Sequence, residues 1–162
     1  MNPQKMNEKP TITLTDSERV WADRLLTILK CQTQESLDML LDAVKTGESK
    51  PDNPNIAEDR RVLGYLNPLR KKIQTGEGDL ELSAAEAGQL DKLLDNAQSS
   101  LECAPVEVMD ELEEAREQGL DEEELSDEAR AYRELKDILN ILRPLSNRLD
   151  EAKFEWPKQY ED

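Results

Sequence analysis

Apolar side chains recur every three or four residues through most of the chain, the period of a helix with one buried stripe. Val20, Trp21, Leu25, Ile28 and Leu29 open the series. After a polar interruption at Gln32-Thr33-Gln34, Leu37, Leu40, Leu41 and Val44 resume it toward Gly47, which predicts one broken helix or two short ones. Val62, Leu66, Leu69 and Ile73 form a second stripe ending at Gly76. Pro68 lies inside it and is expected to kink the helix, because a proline removes one ladder hydrogen bond while the apolar period continues past it. Ala87, Leu90, Leu94, Ala97 and Leu101 make a third stripe, and Val108, Met109, Leu112 and Ala115 a short fourth one. The last runs from Tyr132 through Leu135, Leu139 and Leu142, continuing past Pro144 to Leu145 and Leu149 as one long kinked helix.

The boundaries carry their own chemistry. Thr15 with Glu18, Asn55 with Glu58, and Ser83 with Glu86 each have the spacing of a capping box, in which the cap side chain and the third helical residue satisfy each other's backbone N–H. Ser126 is a further helix start, and Pro105 suits a first helical position. Gly119 is placed to stop the fourth helix, with Leu120 folding back on it. Residues 1–13 read as a flexible lead-in, Glu48 to Pro54 as a linker, residues 76–82 as a turn with a brief extended piece, and residues 157–162 as a polar tail. No single stripe is stable alone. The expected fold is therefore all-α, one domain over residues 14–156, an irregular bundle of five to seven mostly antiparallel helices, two of them proline-kinked. Residues 62–69 and 138–145 share four identities over eight columns, including the proline, a match that two equivalent kinked helices would give and that Leu-rich helices also produce by chance.

Composition sharpens this picture. Leucine outnumbers valine and isoleucine together by 24 to 11, and aromatics are only 4%, a balance that favours helices over sheet. No run approaches the roughly 18 apolar residues of a membrane span, and no apolar leader with a small-residue cleavage site opens the chain. A cytoplasmic protein with no membrane contact is expected, with Cys31 and Cys103 as reduced, half-buried thiols.

The net charge of −16 belongs to one third of the chain. Residues 77–128 hold 19 acidic and 2 basic side chains, whereas the stretches on either side are close to neutral. The absence of histidine excludes Ser/His/Asp and Cys/His nucleophile arrangements and His-ligated metal centres. No glycine-rich phosphate cradle is present, and Asp121-Glu122-Glu123-Glu124 lacks the spacing and glycine of an EF-hand loop. Catalysis and a cofactor are not expected. Direct nucleic-acid binding is disfavoured, since phosphate affinity comes from Lys and Arg displacing counterions, and Arg70-Lys71-Lys72 reads as the end of a helix.

Opposite the apolar stripe of the fourth helix lie Glu107, Asp110, Glu111, Glu114 and Glu117, about 5 Å apart along the axis. With Asp121, Glu122, Glu123 and Glu124 after them, and Glu86, Asp91 and Asp95 on the third helix, they form a candidate partner-binding belt. A row of like charges costs a few tenths of a kcal/mol per pair in an isolated helix, so local stability does not explain it. In composition the chain is similar to small acidic helical proteins that mimic DNA, many of them encoded by phages or mobile elements to inhibit a host nuclease, repressor or polymerase. The expected function is binding to a basic, nucleic-acid-binding surface of a partner protein. A structural or assembly subunit that docks through an apolar helix face, around Trp21 or Trp156, is the alternative. A small carboxylate- or metal-dependent enzyme is the third reading.

Overall fold

The computed structural model describes residues 12–152; the N-terminal eleven residues and the last ten, Trp156 and Pro157 among them, lie outside it. Thr15 starts the first helix, α1 (Asp16–Lys45), with both halves of its capping box with Glu18 in place. α1 is continuous, where the sequence pattern suggests a break. Gln32, Thr33 and Gln34 include neither glycine nor proline and cost a helix only tenths of a kcal/mol each. What stops there is the buried stripe. Residues 31, 32 and 34–36 are exposed because α1 is leaving the main core at this point.

α2 (Pro54–Thr75) runs back along α1, as pairs of decreasing and increasing number show: Arg70 Nε donates to Thr27 Oγ1 at 3.1 Å and Ser36 Oγ to Asp59 Oδ2 at 2.7 Å. Its cap is Asn53, two residues before the expected Asn55, because Pro54 needs no N–H at a first helical position and Asn53 accepts from Asn55 N at 2.9 Å. Glu58 is then free to pair with Arg61 at 2.8 Å. α2 continues through Pro68. Beyond the main core the α1–α2 hairpin has a small core of its own, in which Leu37, Ile56 and Leu63 are buried and Leu40, Leu41 and Val44 pack beside them.

Ile12–Leu14 forms β1, paired antiparallel with β2 (Leu80–Leu82), Ile12 opposite Leu82. The boundary of the lead-in therefore falls before Ile12. Alternation explains why, since Ile12 and Leu14 point inward and Thr13 outward, and two inward apolar side chains reward a pairing that the short strand alone would not hold.

α3 (Ala84–Glu102) has the broadest buried surface of the molecule, with Ala84, Ala87, Gly88, Leu90, Leu93, Leu94 and Ala97 all covered by the helices around it. Ser83 and Glu86 close its capping box. α4 (Val106–Gln118) follows Pro105, which stands as its cap rather than as its first residue, so the helix starts one position later than expected. Gly119 ends it at φ 64, and Leu120 N donates back to Ala115 O at 2.9 Å, the expected reversal. A single 3₁₀ turn (Glu122–Glu124) leads to α5 (Asp127–Ile141), capped by Ser126, and α6 (Arg143–Ala152).

α5 and α6 replace the one long helix expected through Pro144. Leu142 stands at the joint, fully buried with Leu145 and Leu149, so the chain turns where it can bring all three under α3. Pro144, without an N–H, loses nothing in the first turn of the new helix. Six α-helices and one two-stranded ribbon thus make up the described residues, an all-α bundle, and no helix among them is long and apolar enough to cross a membrane.

The hairpin tip and the bundle share no buried cluster. Leu63→Ala is accordingly expected to speed amide exchange around residues 37–63 and leave the amides of α3 unchanged, by hydrogen exchange with mass spectrometry. Equal acceleration in α3 would mean that tip and bundle open as one unit.

Candidate acidic interface

α4 attaches to the rest of the molecule through one face. Val108 and Ala115 are buried with Leu125 and Ala129, and Leu112, Leu120 and Tyr132 pack around them. This cluster is separate from the main core. Contacts between α4 and α5 advance in the same sense along both helices: Glu111 meets Ser126 at the start of α5, and the end of α4 lies beside Arg133 and Lys136 further along. The connection from Gly119 to Ser126 must therefore run back beside α4, which places Asp121 and the 3₁₀ turn next to its last two turns.

The carboxylates divide into two groups. Glu107, Asp110, Glu114 and Glu117 are exposed on one side of α4, with Glu113 beside them, and Asp121, Glu123 and Glu124 are exposed in the connection. Glu122 sits in the same turn, its side chain outside the described set. Among the described residues, none of these exposed carboxylates takes part in an ion pair. Glu114 accepts one hydrogen bond, from Gln118 one turn on. Ten carboxylates and a single arginine between residues 107 and 124 thus crowd into one short segment.

Four expected members of the belt stand elsewhere or serve another purpose. Glu111 accepts from Ser126 N at 2.7 Å and from Ser126 Oγ at 2.8 Å, fastening α4 to the start of α5. The backbone hydrogen bond, joined by the hydroxyl, holds its carboxyl below the ordinary glutamate range. Glu86 is paired with Lys72 at 2.6 Å and belongs to the Ser83 cap. Asp91 is 8% exposed and so is removed from any outer surface, because α3 is surrounded rather than peripheral. Asp95 is exposed, but on α3.

Exposed apolar side chains border the acidic side of α4. Val106 is 73% and Met109 43% exposed, although Met109 falls in the stripe expected to be buried. At 100° per residue Met109 lies on the edge of that stripe, and the contact with α5 does not extend to it. Elsewhere Val20 and Ile141 are exposed, and Trp21 is half-buried with the Arg24 guanidinium 5.5 Å from its ring centre. Cys31 and Cys103 are free and exposed rather than half-buried, because each follows the last core contact of its helix segment.

Where acidic side chains do meet cations, they serve the fold. Arg148 on α6 donates to both oxygens of Glu18, at 2.9 and 2.8 Å, and to Thr13 O in β1 at 2.9 Å, joining ribbon, α1 and α6. Burial pushes the Glu18 carboxyl up, but the hydrogen bonds from Arg148 and Thr15 outweigh it and leave the group below its ordinary value. Glu86 follows the same balance, with Lys72 and Ser83 as donors. A carboxyl lowered in the folded state adds stability above its unfolded value, about 4.3 for glutamate, and that stability is lost as pH falls through the folded value. Glu18→Gln is expected to flatten the loss of stability on acidification below about pH 4, followed by urea midpoints against pH. An unchanged acid limb would show that the Glu18–Arg148 pair contributes nothing.

No group of three His, Cys, Asp or Glu side chains among the described residues is placed to hold a metal ion. No family model, no curated protein and no solved structure matches the chain.

Proposed function

We propose that this chain is a non-catalytic binding protein whose exposed α4 side, from Glu107 to Glu117 with the connection that follows, covers a basic surface of a partner protein and so blocks or regulates it. The nucleic-acid-binding surface of that partner is the target the charge density favours. One observation carries the reading: Glu107, Asp110, Glu113, Glu114 and Glu117 on α4, and Asp121, Glu123 and Glu124 after it, are exposed with no cation among the described residues paired to them.

Their spacing supports it. Successive carboxylates on α4 are separated by about 5 Å of axial rise, and the adjoining connection adds a second row, against one phosphate per 3.4 Å on a DNA strand. Repulsion along such a row weakens the helix, and screening over a Debye length near 8 Å at physiological salt relieves it only partly. A cationic partner would remove that penalty on binding. Val106 and Met109 favour a protein contact over a merely solvated side, because burying them against a partner gains roughly 25 cal/mol per Å² of apolar surface. The charge would set the encounter rate and the choice of partner, and the two apolar side chains would add contact energy.

The test is affinity capture from a cell lysate on the immobilised chain, at low and at high salt. Recovery mainly of nucleic-acid-binding proteins, released by salt, is the expected result. Capture that survives high salt would instead support the reading of a structural subunit docking through an apolar side, for which exposed Val20 and Ile141 near Trp21 are the available surface.

A further inference from the structure

Arg116 stands two residues from Glu114 and so about 160° around the α4 axis from it. It faces a cleft of about 470 Å³ between α4 and α5, where Arg133 and Lys136 meet it across a floor that includes Leu112 and Leu120. One carboxylate, Asp137, borders the same cleft. Three cations from two helices thus converge in a chain whose net charge is −16.

None of the three takes part in an ion pair or a hydrogen bond with another described residue. Partners stand at the usual helical distances: Glu113 is three residues before Arg116, and Asp137 four after Arg133. Neither pair forms. A cation in the last turn of α4 complements the helix dipole, which accounts for Arg116. It does not account for Arg133 and Lys136, which are inside α5, away from its ends.

Asp137 also borders a second cleft, of about 670 Å³, on the α1 side of α5, with Trp21, Arg24, Glu134 and exposed Ile141 along it. The two clefts flank α5 on either side of Asp137, and only the first has cations in excess, three against one carboxylate, whereas the second sets Arg24 against Glu134 and Asp137. The first is open, with cations on its margins and Leu112 and Leu120 on its floor. A small inorganic anion would leave the floor wet, and a plain apolar ligand would leave the cations unused.

We propose that the cleft between α4 and α5 is a second binding surface, of opposite polarity to the acidic side of α4, and that it takes an acidic amphipathic segment of a partner protein. Carboxylates of that segment meet Arg116, Arg133 and Lys136, while its apolar side chains cover Leu112 and Leu120. The chain is then an adaptor, with a basic partner on one side of α4 and an acidic segment on the other. The inference rests on the α5 cations and stands or falls separately from the proposed use of the acidic belt. Phosphate polymers are the less favoured occupants, because they have no aliphatic side chains to cover Leu112 and Leu120.

The probe is a fluorescein-labelled synthetic peptide of about 14 residues, roughly 21 Å as a helix, with leucines at i, i+3, i+4 and i+7 and glutamates elsewhere, titrated with the full chain by fluorescence anisotropy. Controls are the same peptide with lysine for glutamate, the glutamate peptide with serine for leucine, and a single-stranded oligothymidylate. Binding of the Glu/Leu peptide is expected, at least tenfold tighter than that of each control. It should weaken at least tenfold with Arg133→Glu plus Lys136→Glu, both exposed positions whose helicity circular dichroism verifies. Glu107→Lys with Glu114→Lys, on the other side of α4, should not weaken it. Failure of the Glu/Leu peptide to bind at about 1 mM, the weak end of useful affinity, would overturn the proposal. So would equal binding of a control, or binding unchanged by the α5 double substitution.

Discussion

Replacing Glu107, Asp110, Glu114 and Glu117 together, each by lysine, is expected to raise the melting temperature at low salt by roughly 2–6 °C while abolishing capture of basic partners. The gain follows from the arrangement on α4. Glu107 with Glu111, Asp110 with Glu113, Glu111 with Glu114, and Glu113 with Glu117 are like charges three or four residues apart, each pair unfavourable by a few tenths of a kcal/mol and each made attractive when one member becomes lysine. After reversal, Glu113 four residues before position 117 has an attractive neighbour in the better orientation. Added salt should raise the melting temperature of the parent chain and have a smaller effect on the variant, in which screening weakens attractive and repulsive pairs alike. Glu111 is left out of the set on purpose, since its hydrogen bonds to Ser126 hold α4 in place. A variant that is more stable yet no longer binds would separate the cost of the acidic row from its use. Retained binding would remove α4 as the interface.

Leu90→Ala is expected to have the largest effect on the fold itself, a loss of about 2–5 kcal/mol measured by urea unfolding. Leu90 is fully buried in the middle of α3, the helix against which α1, α2, α5 and α6 all pack. A cavity there has neighbours on every side and little freedom to collapse. Total stabilities of 5–15 kcal/mol are usual for such chains, so a melting temperature lower by some 5–20 °C is the corresponding thermal result. A change below about 1 kcal/mol would mean that α3 is not the centre of the packing.

What was legible in the sequence was local. The Thr15 and Ser83 capping boxes, the Gly119 stop and the Ser126 start each involve residues within five positions of one another, and each is present as the spacing implies. The Asn55 cap failed locally, since Pro54 lets the helix begin two residues earlier, but the larger differences depend on residues far apart. β1 exists because Ile12 finds Leu82, seventy positions away. The similar segments around Pro68 and Pro144 behave differently: α2 runs on through the first, whereas the second begins a new helix because Leu142, Leu145 and Leu149 are all wanted under α3. Local sequence cannot distinguish them.

The candidate interface divides in the same way. Helical spacing was sufficient to place Glu107, Asp110, Glu114 and Glu117 on one side of α4. It was not sufficient for Asp91, whose burial depends on α3 being enclosed, although Leu93 beside Leu90 and Leu94, with Gly88 and Ala84 nearby, already marked a stripe wider than one side of a peripheral helix. Nor did it reveal that Arg116 would meet Arg133 and Lys136, because the meeting depends on the direction in which α5 returns beside α4.

Zero-length carbodiimide cross-linking of the salt-sensitive complexes, which joins a carboxylate directly to a lysine amine in contact with it, tests the central claim most directly. Peptide mapping should find the links at Glu107, Asp110, Glu114 and Glu117 and at Asp121, Glu123 and Glu124, joined to lysines of the nucleic-acid-binding surface of the partner. Links confined to acidic residues of the α1–α2 hairpin or of α6, with none on α4 or its following turn, would contradict it.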